Sequence, residues 1–122
     1  MPYNWGPFYI VPSTIPKTYS GQILLRENYD DDLLTKELNE LNLNGNIIRV
    51  VNPWYYRQVG SSTLIKIGES SDRSENFAVR WNTANIPDGE YEIFGLMHVT
   101  ITKDNAEYTI ARQNVVRVKV KN

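Results

Sequence analysis

The most constraining stretch of this 122-residue chain runs from Phe77 to Leu96 and predicts two β-strands joined by a tight turn. Apolar residues occupy alternate positions in its first part, namely Phe77, Val79 and Trp81. This period of two is typical of a strand with one buried face. The turn consists of Pro87, Asp88 and Gly89. Proline fixes its own φ, the aspartate side chain can hydrogen-bond to the local backbone, and glycine accepts a positive φ. Tyr91 and Ile93 then begin the second strand.

Strand alternation recurs elsewhere, in residues 21–27, 46–57, 63–67, 95–102 and 108–120. Pro53 interrupts the second of these segments, so we expect two strand pieces joined by a bulge or kink. The last segment alternates most regularly, with Val116, Val118 and Val120 between basic residues. About seven strands separated by turn signals predict an all-β sandwich.

Residues 30–42 change to a helical period, because Leu34, Leu38 and Leu41 lie at i, i+4 and i+7. Three carboxylates precede them, namely Asp30, Asp31 and Asp32, and suit the N-terminus of a helix. We therefore predict a short helix inserted between two strands, with an irregular leucine-anchored loop as the alternative. The acidic triplet could also bind calcium, although it lacks the alternating spacing of a calcium loop.

The first 19 residues form a separate segment, rich in proline and aromatic residues. Prolines make long regular pairing unfavourable and confine strands to sheet edges, although residues 8–11 could still form a short edge strand. We expect the segment to pack on the domain formed by residues 20–122, where its aromatic side chains cover an open end of the core. The alternative is that these aromatic residues form a surface for a partner or a sugar.

Composition restricts the possible partners. Thirteen basic and fourteen acidic residues give a net charge of −1, without the basic excess expected of a nucleic-acid-binding protein. No apolar run approaches the ~18 residues of a membrane span, and no secretory signal pattern begins the chain. The absence of cysteine excludes disulfides, thiol catalysis and thiolate metal sites.

Several runs resemble bacterial immunoglobulin-like or fibronectin-III-like modules of secreted and cell-surface proteins. They are residues 54–57, 67–68, 81–83, 86–91 and 116–122, and the Ile-Pro-Asp-Gly-Glu-Tyr run at 86–91 is the most specific. The resemblance implies an immunoglobulin-like β-sandwich of about seven antiparallel strands. It also implies that the Tyr91 hydroxyl bonds to the backbone across a loop, and that Trp54 or Trp81 is the core tryptophan. It carries no catalytic residue with it.

The sequence gives little support for catalysis. His98 is the only histidine, and no nucleophile elbow or phosphate-binding loop occurs. We expect a packed or half-exposed histidine within a strand, and neither a metal nor a cofactor. The carboxylates of Glu69, Glu75, Glu90 and Glu92 occupy ordinary solvated positions, so no enzyme is expected.

Aromatic residues provide the remaining functional indication, since the chain has three Trp, eight Tyr and three Phe. The candidates for stacking on a sugar, if their faces are exposed, are Trp5, Tyr9, Trp54 and Tyr55. The alternative is that Trp54 and Trp81 belong to the core. We expect an extracellular, non-catalytic module that acts as a spacer or binds neighbouring domains or a protein partner. The alternative function is a carbohydrate-binding module that recognises a polysaccharide.

Overall fold

The computed structural model describes residues 3–4, 10–11, 18–27 and 31–122. The described elements are β1 (Tyr3–Asn4), β2 (Ile10–Val11), β3 (Thr18–Tyr19), β4 (Gln22–Glu27), α1 (Asp31–Glu40), β5 (Asn46–Gln58), β6 (Ile65–Ser70), β7 (Val79–Asn82), β8 (Gly89–Lys103) and β9 (Ala106–Val120). A 3₁₀ helix spans Arg73–Glu75. Within these ranges, six strands have at least four residues each, and three strands have two residues each. The sequence predicts about seven strands. No helix in these ranges is long and apolar enough to cross a membrane.

The strands form two sheets, most of whose pairs are antiparallel. The larger sheet has the order β1-β9-β8-β5-β6, and β3 also pairs with β9. The smaller sheet has the order β2-β4-β7. The pairs of β1 and β3 with β9 are parallel, whereas the other pairs are antiparallel. The mostly β composition predicted from the sequence is therefore confirmed.

The long hairpin β8–β9 is the centre of the larger sheet. Its fifteen pairs run without a register shift from Gly89 opposite Val120 to Lys103 opposite Ala106. Asp104 and Asn105 form the predicted turn, and both have positive φ, at 53° and 65°. A two-residue turn with two positive φ values matches the twist of the flanking strands, and Asp and Asn tolerate that conformation.

Two hydrophobic clusters cover the inner face of this hairpin. The first, here called the sheet core, lies between the two sheets and contains Leu25, Trp54, Trp81, Tyr91, Ile93, Val116, Val118 and Val120. The second, here called the helix core, lies under α1 and contains Leu34, Leu38, Phe77, Met97, Val99 and Ile101. The smaller sheet thus covers one half of the hairpin, and the helix covers the other half.

A polar layer separates the two cores on the same face. It consists of Asn52, Arg112 and Asn114, all fully buried, and Glu37 of α1. Arg112 forms an ion pair with Glu37 and lies opposite Met97, whereas Asn114 lies opposite Gly95. Among the described residues, neither side-chain polar atom of Asn52 has a hydrogen-bond partner. The layer marks where the covering element changes from sheet to helix.

Strand β5 differs from the expectation of two pieces broken at Pro53. It is one strand of thirteen residues, paired with β8 and, from Asn52 onward, with β6. One register shift lies earlier in β5, where Ile47 pairs with Ile101 and Arg49 pairs with Thr100 of β8. Another lies in β6, because Trp54 pairs with Gly68 and Tyr55 pairs with Lys66. Ile67 is therefore an extra residue, which places Lys66 and Glu69 on one face, where their side chains are 2.6 Å apart.

The helix predicted between two strands is confirmed as α1, with Leu34 and Leu38 buried. The helix ends at Glu40, and Leu41, the third leucine of the predicted helical face, is 36% exposed. The buried face of α1 therefore contains Leu34 and Leu38 but not Leu41. Asp31 and Asp32 lie in the first turn, and Asp31 forms an ion pair with Arg73. Asp30 lies outside the described residues, and the described part of the chain holds no group of acidic side chains suited to a metal ion.

Candidate functional site

The sugar-stacking surface predicted from four aromatic residues does not form around Trp54. Trp54 is fully buried in the sheet core, and its Nε1 donates a hydrogen bond to the Phe77 carbonyl at 2.9 Å. A buried indole presents no face to a sugar ring, so the alternative interpretation of Trp54 as a core residue is confirmed. Trp5 and Tyr9 lie outside the described residues.

Tyr55 is the one predicted stacking residue on a described surface. It lies half-buried on the outer face of the larger sheet, opposite Phe94 of β8 and Lys66 of β6. The Arg57 guanidinium lies 5.0 Å from the centre of the Phe94 ring, and its Nε donates to Glu92 at 2.9 Å. Tyr55 therefore belongs to a small mixed patch, which it does not share with Trp54.

The residues predicted to be structural occupy the end of the molecule where β8 begins. The Tyr91 hydroxyl donates a hydrogen bond to the Pro87 carbonyl at 2.6 Å, so the predicted bond across the turn is confirmed. Asp88 accepts a hydrogen bond from the Asn122 backbone at 2.9 Å, and Gly89 has φ +155°. Trp81 is 2% exposed, in agreement with its predicted place in the core.

Tyr91 is also part of a packed group of three aromatic rings. The ring centres of Tyr56 and Trp81 are 5.2 Å apart, and those of Trp81 and Tyr91 are 6.3 Å apart. Tyr56 and Tyr91 meet edge to face at 6.0 Å. Burial raises the pKa of Tyr91, and Tyr56 and Asp88 raise it further. The turn at Pro87 is thus fixed to a rigid aromatic support.

A cavity of about 220 Å³ opens beside these rings and is here called the end pocket. Its apolar lining consists of Tyr56, Ile65, Ile86, Pro87 and Tyr91. Its polar lining consists of Gln58, Ser61, Thr63 and Asn85. None of these described residues is charged, so the end pocket suits a neutral group with both apolar and hydrogen-bonding surface.

The end pocket adjoins an exposed segment, here called the open edge, residues 63–67, which consists of the first three residues of β6 and the two residues before it. Among the described residues, β6 pairs with β5 alone. Leu64 is 44% exposed and Ile65 is 47% exposed, so two adjacent apolar side chains of this segment face solvent. Thr63 and Ile65 belong both to the open edge and to the pocket lining, so the two features form one continuous surface.

No protein-family model, curated protein or solved structure matches this chain. The chemistry of the end pocket is therefore inferred from its own lining.

The carboxylates considered for catalysis do not converge in the end pocket. Glu90 pairs with Arg117 at 2.8 Å, Glu92 with Arg57, and Glu69 with Lys66, so three of the four are neutralised on the sheet surface. His98 is half-buried in β8, and its Nδ1 lies 3.1 Å from the Leu96 carbonyl, as expected for a packed strand histidine.

The end pocket could not be predicted as a unit from the sequence. Its walls come from the glycine-serine turn after β5 and from the turn that contains Pro87, and both turns are recognisable in the sequence. Their meeting depends on the pairing of β5 with β8, which brings Gln58 opposite Tyr91. The sequence of neither turn indicates that β5 pairs with β8.

Proposed function

We propose that this chain is a non-catalytic, immunoglobulin-like β-sandwich module that serves a larger protein as a spacer or protein-interaction domain. The resemblance to modules of secreted and cell-surface proteins supports an extracellular or cell-surface parent. Of the two roles, the geometry favours interaction with a protein partner. The observation that carries this choice is the continuity of the end pocket with the open edge of β6.

The strand order supports the immunoglobulin-like part of the proposal. Seven strands can be lettered A, B, C, C′, E, F and G in chain order: β2, β4, β5, β6, β7, β8 and β9. Strands A, B and E then form one sheet, and C′, C, F and G form the other. Immunoglobulin-like folds divide their strands in this way, and they carry a tyrosine hydrogen bond like that of Tyr91 near strand F.

Protein interaction is supported by the two kinds of contact that this surface offers. An unpaired strand edge offers backbone donors and acceptors, which other chains can use to extend a sheet. The adjoining pocket offers a neutral cavity that can hold an apolar side chain. A spacer needs neither feature, because it acts only through its rigidity.

Neutral carbohydrate is the second candidate ligand. Tyr56 and Tyr91 supply aromatic surface in the end pocket, and Gln58, Ser61 and Asn85 supply amide and hydroxyl groups. A sugar would use the same two kinds of group, but it would not use the open edge. The open edge therefore favours a protein partner over a sugar.

The experiment compares binding to two probes, a displayed library of random peptides and a panel of neutral soluble polysaccharides. The variant Thr63→Phe narrows the end pocket, because Thr63 lines it. The matched control is Thr35→Phe, which makes the same change at an exposed position of α1. Intrinsic fluorescence measures binding, and far-ultraviolet circular dichroism checks that both variants are folded.

Peptides that bind the native chain and Thr35→Phe, but not Thr63→Phe, are the expected result. Saturable polysaccharide binding that Thr63→Phe abolishes would replace the proposal with the second candidate. Failure of both probes to bind would reject the interaction role and leave the spacer role.

A further inference from the structure

The direction of side chains along β6 determines what a partner strand would place in the end pocket. Tyr56 and Ile65 are directly opposite each other on β5 and β6. Tyr56 packs against the sheet core, so both side chains point to the inner face of the larger sheet. A residue added opposite Ile65 on the free side of β6 would also point inward. That direction leads into the end pocket, which Ile65 lines.

The bulge at Ile67 limits how far a partner strand can pair regularly. The register shifts between Lys66 and Gly68, so the regular part of the edge is confined to the residues before Ile67. Beyond the bulge, Gly68 lies close to β7. A β-carbon added to Gly68 would lie 3.6 Å from Cγ1 of Val79. A partner strand is therefore short, and its pairing is centred on Ile65 and Lys66, the residues of β6 that precede the bulge.

The charges beside the open edge favour an uncharged partner. Lys66 and Glu69 neutralise each other at 2.6 Å, and the hydrogen bond to Glu69 raises the pKa of Lys66, so this lysine keeps its charge. The lining of the end pocket carries no charge among its described residues. A charged side chain entering the pocket would lose water without gaining a partner of opposite charge.

We infer that the open edge binds a short, uncharged peptide segment by strand addition, with one apolar side chain held in the end pocket. This inference rests on the proposed protein-interaction function and names the chemistry of its partner. Backbone hydrogen bonds to β6 provide the general affinity, and the pocket selects the side chain opposite Ile65. The pocket volume of about 220 Å³ accommodates a leucine or phenylalanine side chain.

The experiment uses host–guest peptides with the sequence Ser-Val-Thr-X-Thr-Val-Ser, acetylated and amidated at their ends. The β-branched host residues favour an extended chain, and the guest X is leucine, alanine or aspartate. The leucine peptide is expected to bind at least about tenfold more tightly than the aspartate peptide. Thr63→Phe is expected to abolish the preference for leucine, whereas Thr35→Phe retains it.

Backbone pairing is tested separately from the pocket. In an extended peptide, alternate backbone N–H groups point to opposite sides, so only one of the two sets can face β6. N-methylation removes the N–H donor. Methylating the leucine peptide at the set that faces β6 is expected to abolish binding, whereas methylating the other set is expected to preserve it. Amide hydrogen exchange of residues 64–67 is expected to slow when the peptide binds. Binding that survives methylation of either set, with unchanged exchange, would reject strand addition and leave the interaction function intact.

Two further outcomes are distinguishable. If the host–guest peptides do not bind but library peptides do, this inference is wrong and the proposed function stands. If neither class of peptide binds, this inference and the protein-interaction role are both wrong, and the spacer role remains.

Discussion

At the scale of single residues, Tyr91 joins the turn at Pro87 to the aromatic support of the sheet core. Its hydroxyl makes a 2.6 Å hydrogen bond to the Pro87 carbonyl, while its ring packs against Tyr56 and Trp81. The side chain is 2% exposed, and this burial raises the pKa of the phenol. The same bond fixes one wall of the end pocket, which Pro87 lines.

Tyr91→Phe removes this hydrogen bond and leaves the ring in place. We expect it to lower the free energy of unfolding by about 1 kcal/mol, since the Pro87 carbonyl loses its hydroxyl donor. The measurement is the midpoint of urea unfolding, followed by tryptophan fluorescence. Tyr108→Phe is the control, because Tyr108 is 42% exposed. Equal midpoints for the two variants would contradict the structural role of the hydroxyl.

Alkaline pH provides an independent test of the same residue. The pKa of Tyr91 is raised in the folded state, so the folded chain holds this proton more tightly than the unfolded chain. The stabilisation is fully present below the unfolded pKa of about 10 and is lost as the pH rises through the folded pKa. Native protein should lose stability in that range more steeply than Tyr91→Phe does.

At the scale of elements, α1 depends on one buried ion pair as well as on its leucines. Leu34 and Leu38 contribute its apolar face to the helix core, and Glu37, one position before Leu38, reaches Arg112 of β9. The Arg112 side chain is fully buried, so its charge relies on partners inside the protein. The pair therefore fixes the position of the helix over the polar layer.

Glu37→Gln preserves the shape of the side chain but removes the negative charge that faces Arg112. We expect a loss of about 3 kcal/mol of unfolding free energy, because a buried guanidinium loses its carboxylate partner. Urea unfolding measures the loss, and Glu40→Gln, at an exposed position of the same helix, is the matched control. A loss no greater than that of the control would show that the pair contributes nothing to the attachment of α1.

The sequence predicts elements that obey local periodicity and misses features that depend on distant partners. The alternation of valines in β9 and the leucine spacing of α1 are visible in the sequence, and both are confirmed by burial. Nothing near Arg112 or Asn52 indicates that either is fully buried, because their surroundings come from other strands and from the helix. For the same reason Trp54 could be either a surface or a core residue before the fold was known.

At the scale of the whole molecule, one hairpin runs through both hydrophobic cores. β8 contributes Tyr91 and Ile93 to the sheet core and Met97 and Val99 to the helix core. Neither core can be lost without exposing part of the same two strands. The two cores are therefore expected to unfold together, although different elements cover them.

Leu25→Ala and Leu34→Ala test this coupling from opposite ends. Leu25 belongs to the sheet core and Leu34 to the helix core, and both are almost completely buried. Each change should cost about 3 kcal/mol and shift a single transition. Circular dichroism and tryptophan fluorescence should report the same midpoint in both variants. A loss of helical signal before the fluorescence change in Leu34→Ala would show that the helix core unfolds independently.

Mechanical load gives the pairing of β3 with β9 a particular importance. The two strands are parallel, with Thr18 beside Lys119 and Tyr19 beside Val120. A pull on the chain before β3 and after β9 draws them in opposite directions along their axes. Their hydrogen bonds are then strained together in shear, whereas a perpendicular pull would open them one at a time. β1 also pairs with β9 in parallel, so a tether built from this domain would resist stretching at two contacts, each only two residues long.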